Sequence, residues 1–236
     1  MTLEEVRARL GEAAILLDFD GTLAPIVPKP EDARPLPEVA EVLAVLVERA
    51  KLVAVITGRP EPFIRRVLDV QKLEVVGLYG FDGARGLDPQ VLAAVSALAE
   101  REPGARVEDK GVSVAVHVRG APDPDAAAGR LRGQLNSLAT LHDLAAFEGK
   151  RVIELGPRGA RKSAAVRQLV SRVEPGAALY AGDDLEDLEA FKALGELDVP
   201  IARIAVVTSE TPEGLPAAAD VTVEGPAGLV FLLSEL

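Results

Sequence analysis

No cysteine occurs in the 236 residues, which excludes disulfides, thiolate metal sites and cysteine nucleophiles. Tryptophan is also absent, methionine occurs once, and aromatic residues make up 3% of the chain. His117 and His142 are the only histidines, so a multi-histidine metal site cannot be assembled. No apolar run approaches the roughly 18 residues a membrane helix needs, and Met1 to Gly11 lacks the apolar stretch of a secretion signal. Positive charge is the scarcer sign: 26 basic against 37 acidic side chains leave a net −11. That balance argues against nucleic acid and anionic membrane surfaces as partners. The expectation is a cytoplasmic monomer acting on a small molecule, with no nucleic-acid and no membrane partner.

What is present is aliphatic. Hydrophobic residues make up 48% of the chain, enough for a sizeable core, and the length suits one large α/β domain or a core with a smaller insert. The organising stretch is Asp18-Phe19-Asp20-Gly21-Thr22-Leu23. The apolar run Ala13-Ala14-Ile15-Leu16-Leu17 before it predicts a buried parallel strand. Two carboxylates therefore lie just past a strand's carboxyl end, where open α/β sheets bind ligands. Close anions repel unless a cation joins them or one takes a proton. A divalent cation with oxygen ligands would satisfy both; a solvated Asp-Gly turn would need neither.

The rest of the chain reads as strand-helix units with one interruption. A short helix is predicted over residues 2–10. Pro37 opens a helix with Val39, Val42, Leu43, Leu46 and Val47 on one face. Leu52 to Ile56 is a second buried strand ending in Thr57-Gly58-Arg59-Pro60. Another helix runs through about Leu68, and Val75 to Tyr79 is a third strand. A linker, Phe81 to Gly86, leads to a helix over Pro89 to Glu102. The alternation of Val112 to Arg119 predicts a half-buried antiparallel strand. A helix over Asp123 to Leu141 follows, and then two strands, Ala145 to Glu148 and Arg151 to Leu155, pair around Gly149-Lys150. The strand-helix pattern resumes with a helix over Arg161 to Val173 and a strand over Ala177 to Ala181. That strand ends in Gly182-Asp183-Asp184-Leu185-Glu186-Asp187, followed by a helix to about Leu194. Late strands at Ile204 to Val207 and Val221 to Val223 and a closing helix from Gly228 complete the chain. The expected architecture is an α/β core of residues 1–82 and 156–236, with a small α+β insert over 83–155.

Four polar clusters follow core strands or open a helix: Asp18/Asp20, Thr57, Lys162 and Asp183/Asp184/Asp187. Each alone has a plain explanation. Thr57 caps the next helix, Lys162 is a solvated helix lysine, and the acidic run complements a helix dipole. Taken in order they suggest a different chemistry, because carboxylates at two strand ends suit magnesium while a hydroxyl and an ammonium suit a phosphoryl group. Two other motifs fail. In Gly156 to Ser163, Arg161 stands where a P-loop needs glycine, and Gly111 to Ala115 lacks the last glycine of a nucleophile elbow.

The Asp18 to Leu23 string resembles the nucleophile motif of the haloacid-dehalogenase (HAD) superfamily, and the order of the four clusters resembles that of its phosphatases. The resemblance implies a Rossmann-like parallel-sheet core with an inserted α+β cap of the C2B type. It makes Asp18 the phosphoryl-accepting nucleophile, Asp20 the general acid/base, and Thr57 and Lys162 the phosphate-holding groups. It makes Asp18, Asp20 (through its carbonyl), Asp183, Asp184 and Asp187 the Mg²⁺ residues. Leu17 to Ile26, Glu108 to Arg119, Arg151 to Leu155 and Gly182 to Phe191 resemble the trehalose-6-phosphate phosphatases. By that likeness Glu108, Lys110 and Glu154 contact sugar hydroxyls, and Gly58 and Arg59 join the substrate-binding set. The implied reaction is hydrolysis of trehalose 6-phosphate, within trehalose biosynthesis, through an aspartyl-phosphate. The alternatives are a phosphatase for mannosyl- or glucosyl-3-phosphoglycerate, or a phosphomutase of the same fold. The chain departs from that family at Leu78-Tyr79-Gly80 (usually Asn-His-Gly), Ser163 (Gly), Glu186 (Thr) and Glu189 (Asp). His117 is expected to be exposed.

Overall fold

The computed structural model describes residues 3–80, 86–149, 151–159 and 161–236. They fall into two compact units, Met1–Gly80 with Arg161–Leu236, and Phe81–Ala160. In chain order the elements are α1 (Leu3–Ala8), β1 (Ala13–Leu17), α2 (Val39–Arg49), β2 (Leu52–Ile56), α3 (Glu61–Val67) and β3 (Glu74–Val76). The second unit contributes α4 (Pro89–Ala99), β4 (Arg106–Asp109), β5 (Val114–His117), α5 (Pro124–Leu141), β6 (Leu144–Gly149) and β7 (Val152–Pro157). The first unit resumes with α6 (Lys162–Val173), β8 (Ala177–Gly182), α7 (Leu185–Leu194), β9 (Ile201–Val207), α8 (Gly214–Ala218), β10 (Val221–Glu224) and α9 (Gly225–Ser234).

The first unit is built on a six-stranded sheet in the order β10-β9-β8-β1-β2-β3, with every neighbouring pair parallel. Strands covered on both faces read as continuous apolar runs, and all five residues of β1 are buried. Alternation then divides its side chains between two helical layers. Ala13, Ile15 and Leu17 pack with Val39, Leu43 and Leu46 of α2, Ile64 of α3 and Leu229 of α9. Ala14 and Leu16 pack with Val166 and Leu169 of α6 and Phe191 and Leu194 of α7. The chain moves outward one way through β2 and β3 and the other way through β8, β9 and β10. The direction of winding therefore reverses between β1 and β8, and in open α/β sheets the crevice at that reversal is the usual ligand position.

The second unit is a four-stranded antiparallel sheet, β4-β5-β7-β6. Val114, Val116, Ile153 and Leu155 point into a core made with Val91 and Val95 of α4 and Leu131 and Leu135 of α5. Cross-strand register places Glu108 beside Ala115 and Ala115 beside Glu154, so these side chains share the opposite face. Asp88 and Asp123 cap the two helices by accepting from Gln90 N and Ala126 N.

Two expected strands are not found as read. The third core strand stops at Val76, and Gly77–Gly80 bends away, with Leu78 at φ 51 and Tyr79 at φ 56. The amides of Leu78 and Tyr79 donate to Arg59 O and Thr57 O instead of continuing the ladder. Left-handed backbone costs an L residue on the order of 1 kcal/mol, a cost that a propensity reading of Val75 to Tyr79 does not register. The expected strand over Val112 to Arg119 is shortened to Val114–His117. Gly111, at φ 83, turns the chain there and creates the hairpin with β4, which the sequence reading did not separate. Burial on β5 does not alternate either, since Val114, Ala115 and Val116 are all buried. Pro37 lies just ahead of its helix, which begins at Val39. Apart from Gly86, the expected linker lies outside the described residues, as does Lys150.

Candidate active site

β1 and β8 are neighbours, and the turns that leave their carboxyl ends bring Asp18 and Asp183 together. The Asp18 amide donates to Ala181 O at 2.9 Å, which extends the ladder by one residue. The Phe19 carbonyl then accepts from the amides of Thr22, Leu23 and Ala24, and Gly21 N donates to Ala24 O, closing a tight loop. Gly21 adopts φ +83, and a Cβ there would lie 2.0 Å from Asp183 Oδ2. Only glycine allows both the turn and the close approach of that carboxylate. Gly182 is constrained in the same way, because its Cβ would meet Asp187 Cγ at 2.1 Å.

The carboxylates of Asp18, Asp183 and Asp187 are all buried and offer oxygens within 4.8 Å of one another. Lys162, the first residue of α6 and 2% exposed, puts its Nζ 2.9 Å from Asp18 Oδ1, 2.7 Å from Asp187 Oδ1 and 3.4 Å from Asp184 Oδ1. Burial by itself would discharge this lysine, but Asp18, Asp184 and Asp187 more than reverse that and hold its ammonium well above the ordinary lysine range. Burial pushes the Asp18 carboxyl up to about 7; Lys162 opposes the rise, and Asp184 and Asp183 add to it. Thr22 Oγ1 donates to the other Asp18 oxygen at 3.2 Å.

Asp187 is already fully hydrogen-bonded. Its Oδ1 accepts from Lys162 and from the Tyr180 hydroxyl at 2.7 Å, and its Oδ2 accepts from the amides of Asp183 and Asp184. Four donors fill a carboxylate's acceptor sites. Asp184 caps α7 and exchanges hydrogen bonds with Asp187 in a capping box. Arg161 donates to Glu186 and joins the starts of α6 and α7.

Asp20 is held separately. Arg59 grips it with Nε at 2.6 Å and Nη2 at 2.8 Å, while Nη1 donates to Pro30 O at 2.7 Å. The guanidinium also lies over the Phe63 ring, 4.3 Å from its centroid. The Pro30 carbonyl thus holds Arg59, and Arg59 holds Asp20. Thr57 is 1% exposed. It does not cap α3, which starts at Glu61; its hydroxyl accepts from Arg59 N within its own turn.

In the second unit, Lys110 Nζ sits 2.6 Å from Glu154 Oε2, and Ser113 Oγ donates to Glu154 Oε1 at 2.6 Å. The two charged side chains are 9% and 11% exposed, so they are not surface charges. His117 is half-buried rather than exposed, with Nε2 2.8 Å from Glu108 Oε2. The expected sugar-contacting residues Glu108, Lys110 and Glu154 thus gather on one sheet, within the second unit.

The sequence profile of the trehalose-phosphatase family matches residues 16–85 and 88–224. The chain belongs to that family. Among its relatives, the trehalose-phosphate phosphatase of Mycobacterium leprae is 30% identical over 245 residues, 91% of this chain and 55% of that protein. The alpha,alpha-trehalose-phosphate synthase [UDP-forming] B of Dictyostelium discoideum is 32% identical over 209 residues, 80% of this chain and 26% of that protein. This chain therefore spans from about a quarter to just over half of these two relatives. Among solved structures, the C-terminal domain of the C. albicans trehalose-6-phosphate phosphatase superposes with a TM-score of 0.78 at 23% identity, covering 99% of this chain and 95% of that one. A trehalose-6-phosphate phosphatase related protein gives 0.74 at 23% identity, covering 94% and 96%. The fold is thus the HAD-type α/β core with an inserted α+β unit.

Within this trehalose-phosphatase fold the structure adds groups that the sequence reading passed over. Tyr180 lies on an otherwise aliphatic strand, three residues before the acidic run, and its hydroxyl is the signal the sequence offers. Thr22 and Ser113 are short hydroxyls inside motifs dominated by charged residues. Pro30 contributes only a backbone carbonyl, which no residue pattern reveals.

Proposed function

We propose that this chain is a Mg²⁺-dependent phosphatase that hydrolyses trehalose 6-phosphate to trehalose and phosphate. The observation that carries the reading is the arrangement around Asp18, a buried carboxylate at the sheet's reversal point, placed between an ammonium and a neighbouring carboxylate, in a chain of the trehalose-phosphatase family. The donor set fits a hard divalent cation, since it consists of oxygens and lies where Gly21 leaves room for Asp183. Asp18 and Asp183 would hold Mg²⁺ with the Asp20 main-chain carbonyl. Asp184 and Asp187 would support them, Asp187 through the amides it orders. When bound, Mg²⁺ supplies charge neutralisation between nucleophile and phosphate.

The residues then divide the work. An Asp18 oxygen attacks phosphorus, the bond from phosphorus to the sugar oxygen breaks, and Asp20 gives that oxygen its proton. Asp20 next takes a proton from water, the water oxygen bonds to phosphorus, and the bond to Asp18 breaks, releasing phosphate and restoring both carboxyl groups. Lys162 and Thr57 hold phosphoryl oxygens throughout. Arg59 keeps Asp20 oriented. Residues 83–155 act as the cap, with Glu108, Lys110 and Glu154 meeting the sugar.

Phosphate release from a panel of sugar phosphates tests this reading. Trehalose 6-phosphate should be the best substrate, Asp18→Asn should lose at least about 10⁴-fold in kcat, and EDTA should stop turnover until Mg²⁺ is returned. Asp18→Asn activity within about tenfold of the parent would rule out the covalent route. Preference for a glycosyl-3-phosphoglycerate would move the substrate, and return of label to sugar rather than water would make the enzyme a mutase.

A further inference from the structure

The bend Gly77–Gly80 is packed against the turn that carries Thr57, Gly58 and Arg59. Leu78, Tyr79 and Gly80 all have positive φ, at 51, 56 and 81, the only run of three among the described residues. Such backbone persists in non-glycine residues where surrounding contacts demand it, and it gathers at functional sites. The contacts are specific. Leu78 N donates to Arg59 O at 3.1 Å, Tyr79 N to Thr57 O at 3.0 Å, and Thr57 N to Val76 O at 3.0 Å. Two glycines mark where the segments meet. A Cβ on Gly77 would lie 2.5 Å from Glu61 N and 2.9 Å from Arg59 O. A Cβ on Gly58 would lie 2.6 Å from Tyr79 Oη, 2.8 Å from Cζ and 3.2 Å from Cε2, so the phenol ring rests directly on that residue. Gly58 has no positive φ of its own; the ring is what requires glycine there.

We propose that Tyr79 is a positioning residue. Its ring, held over Gly58 by the left-handed backbone of residues 78–80, sets the position of the Thr57-Gly58-Arg59 turn, and so of the Thr57 hydroxyl against a phosphoryl oxygen and of the Arg59 guanidinium against Asp20. The inference rests on the phosphatase reading for what Thr57 holds, but its packing claim stands on geometry alone. It accounts for two sequence features together, a tyrosine in the bend after β3 and a glycine between Thr57 and Arg59.

A cycle of Gly58→Ala and Tyr79→Ala tests it, with Tyr79→Phe as the conservative control. Gly58→Ala should lower kcat/KM on p-nitrophenyl phosphate about thirtyfold in the parent, and cost less than about threefold more in the Tyr79→Ala background, because the atom it strikes is gone. Tyr79→Ala alone should raise the inhibition constant of orthovanadate about tenfold, while Tyr79→Phe, which keeps the ring, stays within about twofold. Equal penalties for Gly58→Ala in both backgrounds, or unchanged orthovanadate inhibition in Tyr79→Ala, would overturn the proposal. Thermal unfolding gives a second cycle that needs no activity. The Tm loss from Gly58→Ala should largely vanish in the Tyr79→Ala background, and additive losses would overturn the packing claim. A parent that neither turns over phosphate esters nor responds to orthovanadate would sink the phosphatase reading, leaving the Tm cycle to judge Tyr79.

Discussion

Each unit buries one of the lysines singled out in the sequence, and the two differ in the charge around them. Lys162 faces Asp18, Asp184 and Asp187, with Asp183 close behind. Lys110 pairs with Glu154, whose other oxygen accepts from Ser113, and Glu108 with His117 lies on the same sheet. One ammonium among four carboxylates leaves negative charge uncompensated in a buried place, which is expensive unless a further cation or protons arrive. The Lys110–Glu154 pair matches one ammonium with one carboxylate. The first arrangement offers the oxygen donors that a divalent cation takes. The second offers Lys110, Glu154, Ser113, Glu108 and His117 as hydrogen-bonding groups. The two lysines thus differ in how many carboxylates crowd them.

The contrast can be broken most severely at Lys162. Lys162→Met should cost about 3–5 kcal/mol of stability, because it strands buried carboxylates without their counter-ion; a loss below about 1 kcal/mol in urea unfolding would mean the carboxylates there are neutral. Metal addition sharpens the comparison next. Mg²⁺ at about a hundred times its Kd should stabilise the parent by about 2.7 kcal/mol and give no shift with Asp183→Asn, whereas an equal shift in both would place the cation elsewhere. In the second unit, Lys110→Ala should lower kcat/KM for trehalose 6-phosphate by about one to two orders of magnitude, about 1.4–2.7 kcal/mol. Hydrolysis of a small aryl phosphate should barely change, and equal losses on both substrates would assign Lys110 to phosphate or fold.

The smallest effect concerns an ordinary, partly exposed ion pair. Arg203 binds Asp220 at 2.8 and 2.9 Å between β9 and β10 and holds its carboxyl below the ordinary value. A lowered acid stabilises the fold above its unfolded pKa, near 3.9, and loses that contribution as pH falls through the folded value. Asp220→Asn should therefore cost about 0.5–1 kcal/mol at neutral pH and progressively less as pH falls below about 3.9, read as the Tm difference from the parent.

The core was legible because its strands are short, apolar and bounded by turn signals, so β1 and β2 come out with the ends the sequence suggests. The insert was legible in outline through its helices, expected over Pro89 to Glu102 and Asp123 to Leu141. The failures both lie at turns. Nothing about Leu78 or Tyr79 advertises a left-handed backbone, since the demand comes from carbonyls some twenty residues earlier. The β4–β5 hairpin was hidden because the charged run Glu108-Asp109-Lys110 masks a strand end. At the site, residue types and spacing pointed to Asp18, Lys162 and Asp183, but partners far apart in sequence did not show. Lys110 finds Glu154 and Arg59 finds Asp20 only once the sheets are assembled.

The strand order has a consequence for how the molecule is made. β1 is paired on one side with β2, which follows it closely, and on the other with β8, which joins positions 13 and 177. Closing so long a loop is slow compared with local pairing. During synthesis the whole insert emerges before β8, so its antiparallel sheet can form while the central strand of the core still presents an open apolar edge. That edge is the segment on which nascent chains would pair wrongly with one another, and the loop that carries Asp18 hangs from its end.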